Sequence, residues 1–220
     1  MIVVLMAAAA LCRADCNHPG KERWAIKSTI PAGADIAKTR TVKITDVAAL
    51  GNPPGVRNKD SRFEAKTIPS FANPLRLKEG DLVTFTGFLF LIAEEDNDCE
   101  YHIQIASQFP DMSKPKDLDD CVIVEVAIPE DFENKALSGA AADVRKWVHD
   151  SLKLKTRNNN NPTAAGIPMG HPVHVKVSGQ LFFDDAHLKK DGTSQPRGKL
   201  GFHTNTLWEL HPVYHIEFTR

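Results

Sequence analysis

The amino-acid sequence predicts a mainly β protein with one long helix. Three observations lead to this prediction. Five runs rich in apolar and β-branched residues follow residue 81, and one segment near 134–153 instead spaces its apolar residues three or four apart. The final run, 207–218, alternates almost without a break between apolar and polar residues. Such alternation is typical of a half-buried strand, because successive side chains of a strand point to opposite faces.

The first 14 residues resemble a secretory signal peptide. Residues 2–11 are apolar, but this run is shorter than the ~20 residues that a membrane-spanning helix needs. We therefore expect a secreted or periplasmic protein with no transmembrane segment. A lipid anchor on Cys12 or Cys16, or a buried N-terminal strand, is the alternative that the sequence leaves open.

Residues 15–80 are predicted to form a short strand and an irregular arm. Alternation around Trp24 predicts the strand. Prolines and glycines interrupt the rest of the segment, apart from one short helix expected at 45–50. We expect this arm to lie over the domain that follows.

Residues 81–220 are predicted to form one β domain that includes the helix near 134–153. The predicted strands cover residues 82–93, 100–107, 121–128, 171–183 and 207–218. Gly87 lies in the middle of the first strand, where a bend is expected. A long bent strand, two strands, a helix and two further strands follow one another in the order of an OB-fold. We therefore expect an OB-fold-like five-stranded Greek-key barrel.

Two cysteines of this domain are predicted to form a disulfide. Cys99 and Cys121 flank the adjacent second and third strands, and an exported protein would keep such a bridge oxidised. The alternative is a pair of buried free thiols. Cys16 has no predicted partner.

The polar face of the last strand carries Glu209, His211, His215 and Glu217. Together with His187, the first two of these would supply three ligands of a divalent metal such as zinc or non-haem iron. The alternatives are a solvated strand face, or a buried histidine hydrogen-bonded to a carboxylate.

Two further groups are candidate binding residues. Asp184 and Asp185, close to His187, suit cation binding or acid–base catalysis, although an Asp-Asp pair at a strand end commonly makes a turn. Arg23, Trp24 and Lys27 are a candidate stacking surface for bases or sugars. The alternative to that surface is a core tryptophan covered by the aliphatic parts of two cations.

Several segments resemble a family of uncharacterised, mostly secreted bacterial proteins. The matching segments are 22–27, the acidic turn before Tyr101, 179–187 and Trp208-Glu209-Leu210-His211-Pro212. The family pattern reads Arg-Trp-x-Val-Lys-Thr near the N-terminus, where Ser28 here replaces the threonine, and Glu-Leu-His-Pro or Glu-Ile-His-Pro near the C-terminus. The resemblance implies an OB-like barrel and no established activity. The chain departs from shorter members at 108–120 and 134–153.

The fold class favours a secreted binding module without catalysis of its own. OB-folds bind oligonucleotides or oligosaccharides on the second and third strands and the adjacent loops. We therefore predict that His102, Gln104 and the loops around Asp184 and Arg197 bind a glycan or a single-stranded nucleic acid.

The alternative function is a metal-dependent hydrolase or nuclease that uses His187, Glu209 and His211 with an activated water. The chain contains no nucleophile elbow, no phosphate-cradling glycine loop and no Cys-x-x-Cys motif. Its net charge of -1 and its scattered cations lack the basic excess of a dedicated nucleic-acid binder.

Overall fold

The structure is a computed structural model that describes residues 22–95, 98–156 and 160–219. The predicted signal peptide, the alternative lipid anchor and Cys16 lie outside the described residues. Within these residues, the chain contains no helix of the length and apolar character that crossing a membrane requires.

The mainly β character and the single long helix are confirmed. The strands are β1 Arg40–Thr41, β2 Leu82–Glu94, β3 Tyr101–Ala106, β4 Asp117–Leu118, β5 Cys121–Val126, β6 Ile167–Phe183, β7 His203–Thr204 and β8 Trp208–Phe218. The helices are α1 Trp24–Lys27, α2 Ile44–Ala48 and α3 Lys135–Trp147, which continues as a π-helical segment over Val148–Leu152. Asn134 caps α3, because its side chain accepts hydrogen bonds from the backbone N–H groups of Ala136 and Leu137.

Six strands form one sheet in the order β1-β2-β3-β5-β8-β6, and β2 also pairs with β6. The pairs β2–β3, β3–β5, β6–β8 and β2–β6 are antiparallel, whereas β5–β8 is parallel. Gly87 lets β2 lie close to β3, since a Cβ atom there would be 2.7 Å from Cγ2 of Ile105. β4 and β7 form a separate small parallel pair.

The main core lies on one face of these strands and extends into the N-terminal arm. Trp208 packs against the rings of Phe71 and Phe183, with ring centroids 5.8 and 5.2 Å apart. Arm residues Val47 and Phe63 belong to the same buried cluster. Their burial holds the arm against the sheet and, with it, the α1 segment.

Two local predictions are wrong. The short strand expected around Trp24 is the single-turn helix α1, preceded by Arg23 in the left-handed conformation. The Cys99–Cys121 disulfide is not formed, since Cys121 is a buried free thiol. In the antiparallel β3–β5 pair, Cys121 lies opposite Ala106, whereas Cys99 precedes the other end of β3. That separation of five strand residues, ~17 Å, is more than twice what a disulfide spans.

Candidate functional site

A pocket of about 580 Å³ opens on the sheet face opposite the main core. Its walls come from β3, β5, the end of β6, α1, and the connections 95–100 and 184–199. These two connections join β2 to β3 and β6 to β7. The pocket therefore collects side chains from segments that are far apart in sequence.

Strand register brings the polar side chains of three strands into one row. His102 of β3 pairs with Glu125 of β5. The parallel β5–β8 register pairs Ile123 with Glu209, so that Glu125 lies beside His211 two residues further on. Alternate residues of the same strands enter the core, which is why this row shares one face. The result is a set of ionisable groups that are almost completely buried.

His211 lies at the centre of this row. Its Nδ1 atom donates a hydrogen bond of 3.0 Å to Oε2 of Glu125, and Oε1 of Glu209 is 3.6 Å away. Its Nε2 atom is 3.3 Å from Oε1 of Glu100. Nε2 of His211 and Oε1 of Glu100 are both buried, and neither forms a hydrogen bond with any of the described residues. Oε1 of Glu209 and Nε2 of His102 likewise have no hydrogen-bond partner there.

The distance of 3.3 Å between Nε2 of His211 and Oε1 of Glu100 suits a metal ion bound by both atoms. Two ligand atoms that each lie ~2.1 Å from one ion at a tetrahedral angle are ~3.4 Å apart. Among the described residues, one group of histidine, cysteine and carboxylate side chains has its ligand atoms within 4.8 Å of one another, namely Glu100, Glu125 and His211. A divalent cation is the species that such a mixture of carboxylates and imidazole binds.

The trio predicted from sequence, His187, Glu209 and His211, is not such a group. Nδ1 of His187 instead donates a 2.7 Å hydrogen bond to Oδ2 of Asp184. Glu209 is instead bound by Arg197, at 2.5 Å. His211 is therefore the member of the predicted trio that belongs to the candidate metal group.

The ionisable groups of the row stabilise one another's charged forms. Burial tends to raise the pKa of Glu125, but hydrogen bonds from His102 and His211 and the charges of Lys27 and Arg197 hold it well below its usual range. Burial tends to lower the pKa of His211, but the charge of Glu100 raises it well above its usual value. Without a metal ion, Glu125 is therefore ionised, and His211 carries a proton that a metal ion would replace.

Arg197 joins the pocket wall to the buried row. It contacts Asp184 at 2.9 Å, Glu209 at 2.5 Å and Glu125 at 3.1 Å. Burial disfavours its charge, yet these three carboxylates raise the pKa of Arg197 above its usual value. Its guanidinium group is paired with carboxylates of the protein itself, so Arg197 holds the side chains of the site in place.

Asp184 and His187 form an acid–histidine pair at the pocket mouth. Asp184 is buried, and its pKa is lowered because the charges of Arg197 and the hydrogen bond from His187 outweigh the effect of burial. The imidazole remains 39% exposed. Asp184 also accepts a hydrogen bond from the backbone N–H of Ala186, so the turn that the sequence suggested is present as well. Asp185 has a different role, because it accepts the backbone N–H of Asp60 and fastens the arm.

The remaining predicted residues fall into four places. Lys27 lines the pocket, beside the ring of Phe182. Gln104 lies beneath it and holds the loop by bonding the backbone of Lys199 and Phe202. Arg23 is buried behind it, and Trp24 lies in a separate shallow groove with Leu137. Arg23, Trp24 and Lys27 therefore do not form one stacking surface.

Sequence reasoning missed Glu100 and Glu125. Glu125 is the one charged residue of the predicted strand 121–128, and its neighbours on both sides are apolar. A lone carboxylate in such an apolar run is a usable signal of a functional site. The exposed half of the β8 row behaves as a solvated face, with His215 and Glu217 half-exposed and 3.6 Å apart.

Comparison of the chain with protein-family models, with curated proteins and with solved structures finds no match. The resemblance drawn from the sequence motifs therefore stays a prediction.

Proposed function

We propose that the buried row beside the pocket holds a divalent metal ion and that the protein is a metal-dependent hydrolase. The observation that carries the proposal is the pair of buried atoms Oε1 of Glu100 and Nε2 of His211, 3.3 Å apart and without hydrogen-bond partners among the described residues. A buried polar atom without a partner costs ~1–3 kcal/mol, and more when it is charged. The attraction between Glu100 and a protonated His211 offsets part of that cost, and an ion bound by both atoms would remove the rest.

Charge supports a divalent ion. The buried carboxylates that contact His211 or Arg197 are Glu100, Glu125, Asp184 and Glu209. The cations that face them are Lys27 and Arg197. With a neutral His211, two negative charges remain, which a divalent cation neutralises. Glu125 would keep the imidazole oriented through Nδ1, as carboxylates do for metal-bound histidines.

The site has the parts of a hydrolase. A divalent ion held by Glu100 and His211 would lower the pKa of a coordinated water to ~7 and so would supply a nucleophile at neutral pH. In this proposal His187, which lines the pocket and is oriented by Asp184, would accept the proton of the attacking water. The water oxygen then bonds to the electrophilic atom of the substrate, the leaving group departs, and His187 returns the proton to it.

The test measures metal content and hydrolysis in protein purified without a histidine tag. We expect about one equivalent of Zn or Mn, and cleavage of p-nitrophenyl esters that chelation abolishes and the metal restores. His211→Ala and Glu100→Gln should lose both. His215→Ala, four residues along the same strand, is the matched control and should keep both. Absence of bound metal from the wild-type protein would refute the proposal.

A second candidate function rests on the position of the pocket. We infer that the sheet is an OB-fold-like Greek-key barrel, supported by the pairings β2–β3–β5–β8–β6–β2 and by α3 between the third and fourth long strands. The pocket then lies on β3 and β5, the second and third long strands, where OB-folds bind oligosaccharides or single-stranded nucleic acid. Retention on immobilised glycan or single-stranded DNA, with no bound metal, would favour this binding module. Export through residues 1–14 is part of both proposals and is tested by N-terminal sequencing of the secreted protein.

A further inference from the structure

We infer that Lys27 makes the pocket a binding site for a phosphate group, so that the substrate is a small phosphomonoester. The inference rests on the proposed hydrolase function for its chemistry. The anion site itself is a separate claim, because it depends on a different side chain.

Lys27 differs from the other cations of the pocket in its hydrogen bonds. Arg197 is bound to three carboxylates, and Lys199 donates a 2.9 Å hydrogen bond to Oε2 of Glu95. Nζ of Lys27 forms no hydrogen bond with any residue in the described ranges, and its nearest carboxylate oxygen, Oε2 of Glu125, is 4.0 Å away. The side chain is only 14% exposed. Its three N–H donors are therefore available to a ligand inside the pocket.

Lys27 is held in place by the segment that precedes it. The backbone N–H of Lys27 donates to the carbonyl of Arg23, whose guanidinium binds Glu79 twice in the protein interior. The carbonyl of the neighbouring Ile26 accepts a 3.0 Å hydrogen bond from Gln180 of β6. The single turn of α1 thus fixes the ammonium group over the pocket, which reduces the entropy that a ligand contact would cost.

The ammonium group is charged throughout the physiological range. Burial tends to lower the pKa of Lys27, but the carboxylates of Glu125, Glu100, Glu209 and Asp184 raise it above its usual value. A bound divalent ion would bring these carboxylates, Lys27 and Arg197 to electrical neutrality, so a phosphate would be held by direct contact with the ammonium group rather than by a net positive charge. An anion between a divalent ion and an ammonium group is best matched by two negative charges, as in a phosphomonoester.

The size and the acidic lining of the pocket favour a small ligand over a polymer. About 580 Å³ accommodates a small molecule. The carboxyl groups of Glu22 and Asp98 also line the pocket and disfavour the neighbouring phosphates of a nucleic acid. A single terminal phosphate on a small molecule avoids this repulsion.

The test is equilibrium dialysis of radiolabelled inorganic phosphate against the full chain, with and without Mn, while metal content is measured separately. We expect saturable phosphate binding that sulfate weakly displaces and acetate does not. Lys27→Met should weaken it by about 10- to 100-fold, the effect of one charge-assisted hydrogen bond, without loss of metal. Lys27→Arg should retain most of the binding, and Lys38→Met, at an exposed lysine, should leave it unchanged.

The inference is overturned if phosphate binds to the wild-type protein no better than acetate does. This measurement does not depend on the folding of any variant. It is also overturned if a folded Lys27→Met binds phosphate as the wild type does. Lys27-dependent phosphate binding in a protein without metal would refute the hydrolase proposal and leave the anion site standing. Metal binding without phosphate binding would leave the hydrolase proposal standing and refute the anion site.

Discussion

Replacing Arg23 by methionine tests how the arm fixes the pocket. The Arg23 guanidinium is buried and binds both oxygens of Glu79, at 2.8 and 2.5 Å, and the carbonyl of Phe183 at 2.8 Å. Methionine fills most of the volume but leaves the Glu79 carboxylate, which is 0% exposed, without its counter-charge. Loss of one partner of a buried ion pair costs ~3–5 kcal/mol. Lys38→Met breaks a solvent-exposed pair with Asp35 and should cost less than ~0.5 kcal/mol.

Urea unfolding followed by tryptophan fluorescence measures both free energies of unfolding. We expect the Arg23→Met midpoint to fall far below that of Lys38→Met with an unchanged slope. Adding Glu79→Gln to Arg23→Met should recover part of the loss, since the amide removes the buried unpaired charge. A cost below ~1 kcal/mol for Arg23→Met would refute the view that this pair holds α1 and Lys27 against the sheet.

Three further predictions concern the site and the sheet. His187→Gln should lower hydrolysis ~10²- to 10⁴-fold with metal content unchanged, as steady-state kinetics and elemental analysis will show, because the acid–base group is lost while the ligands remain. Gly87→Ala should destabilise the protein by ~1–3 kcal/mol in urea unfolding, since its Cβ would lie 2.7 Å from a side-chain carbon of Ile105, whereas Gly139→Ala, with open space around it, should stabilise α3 by ~0.5–1 kcal/mol. Cys121, whose thiol pKa is raised by burial, should resist iodoacetamide at pH 8 in the native protein and react only on unfolding, as peptide mass mapping will show.

Periodicity predicted the elements of the domain well. The alternation of β8 and the helical spacing of α3 extend over many residues, so local side-chain contacts could not override them. The segment around Trp24 spans only a few residues and alternates by chance. There, the tertiary contacts of Arg23 with Glu79 decided the conformation.

The pocket could be predicted only in part. The fold class suggested that His102, Gln104 and the loops around Asp184 and Arg197 would share a surface. His102, Asp184 and Arg197 line the pocket, whereas Gln104 does not. The partners of His211 could not be read from the sequence. They depend on the register between strands, which places Glu125 beside that histidine, although the two are 86 residues apart in the chain. The Cys99–Cys121 prediction failed for the related reason that adjacency in sequence does not specify which strand ends meet.

An anomalous difference map from a crystal grown with Mn tests the metal site most directly. The proposal predicts a single strong peak between Glu100 and His211, about 2.0–2.3 Å from Oε1 of the first residue and Nε2 of the second. A map with no peak at that position, or with its strongest peak at the solvent-exposed His215 and Glu217, would contradict it.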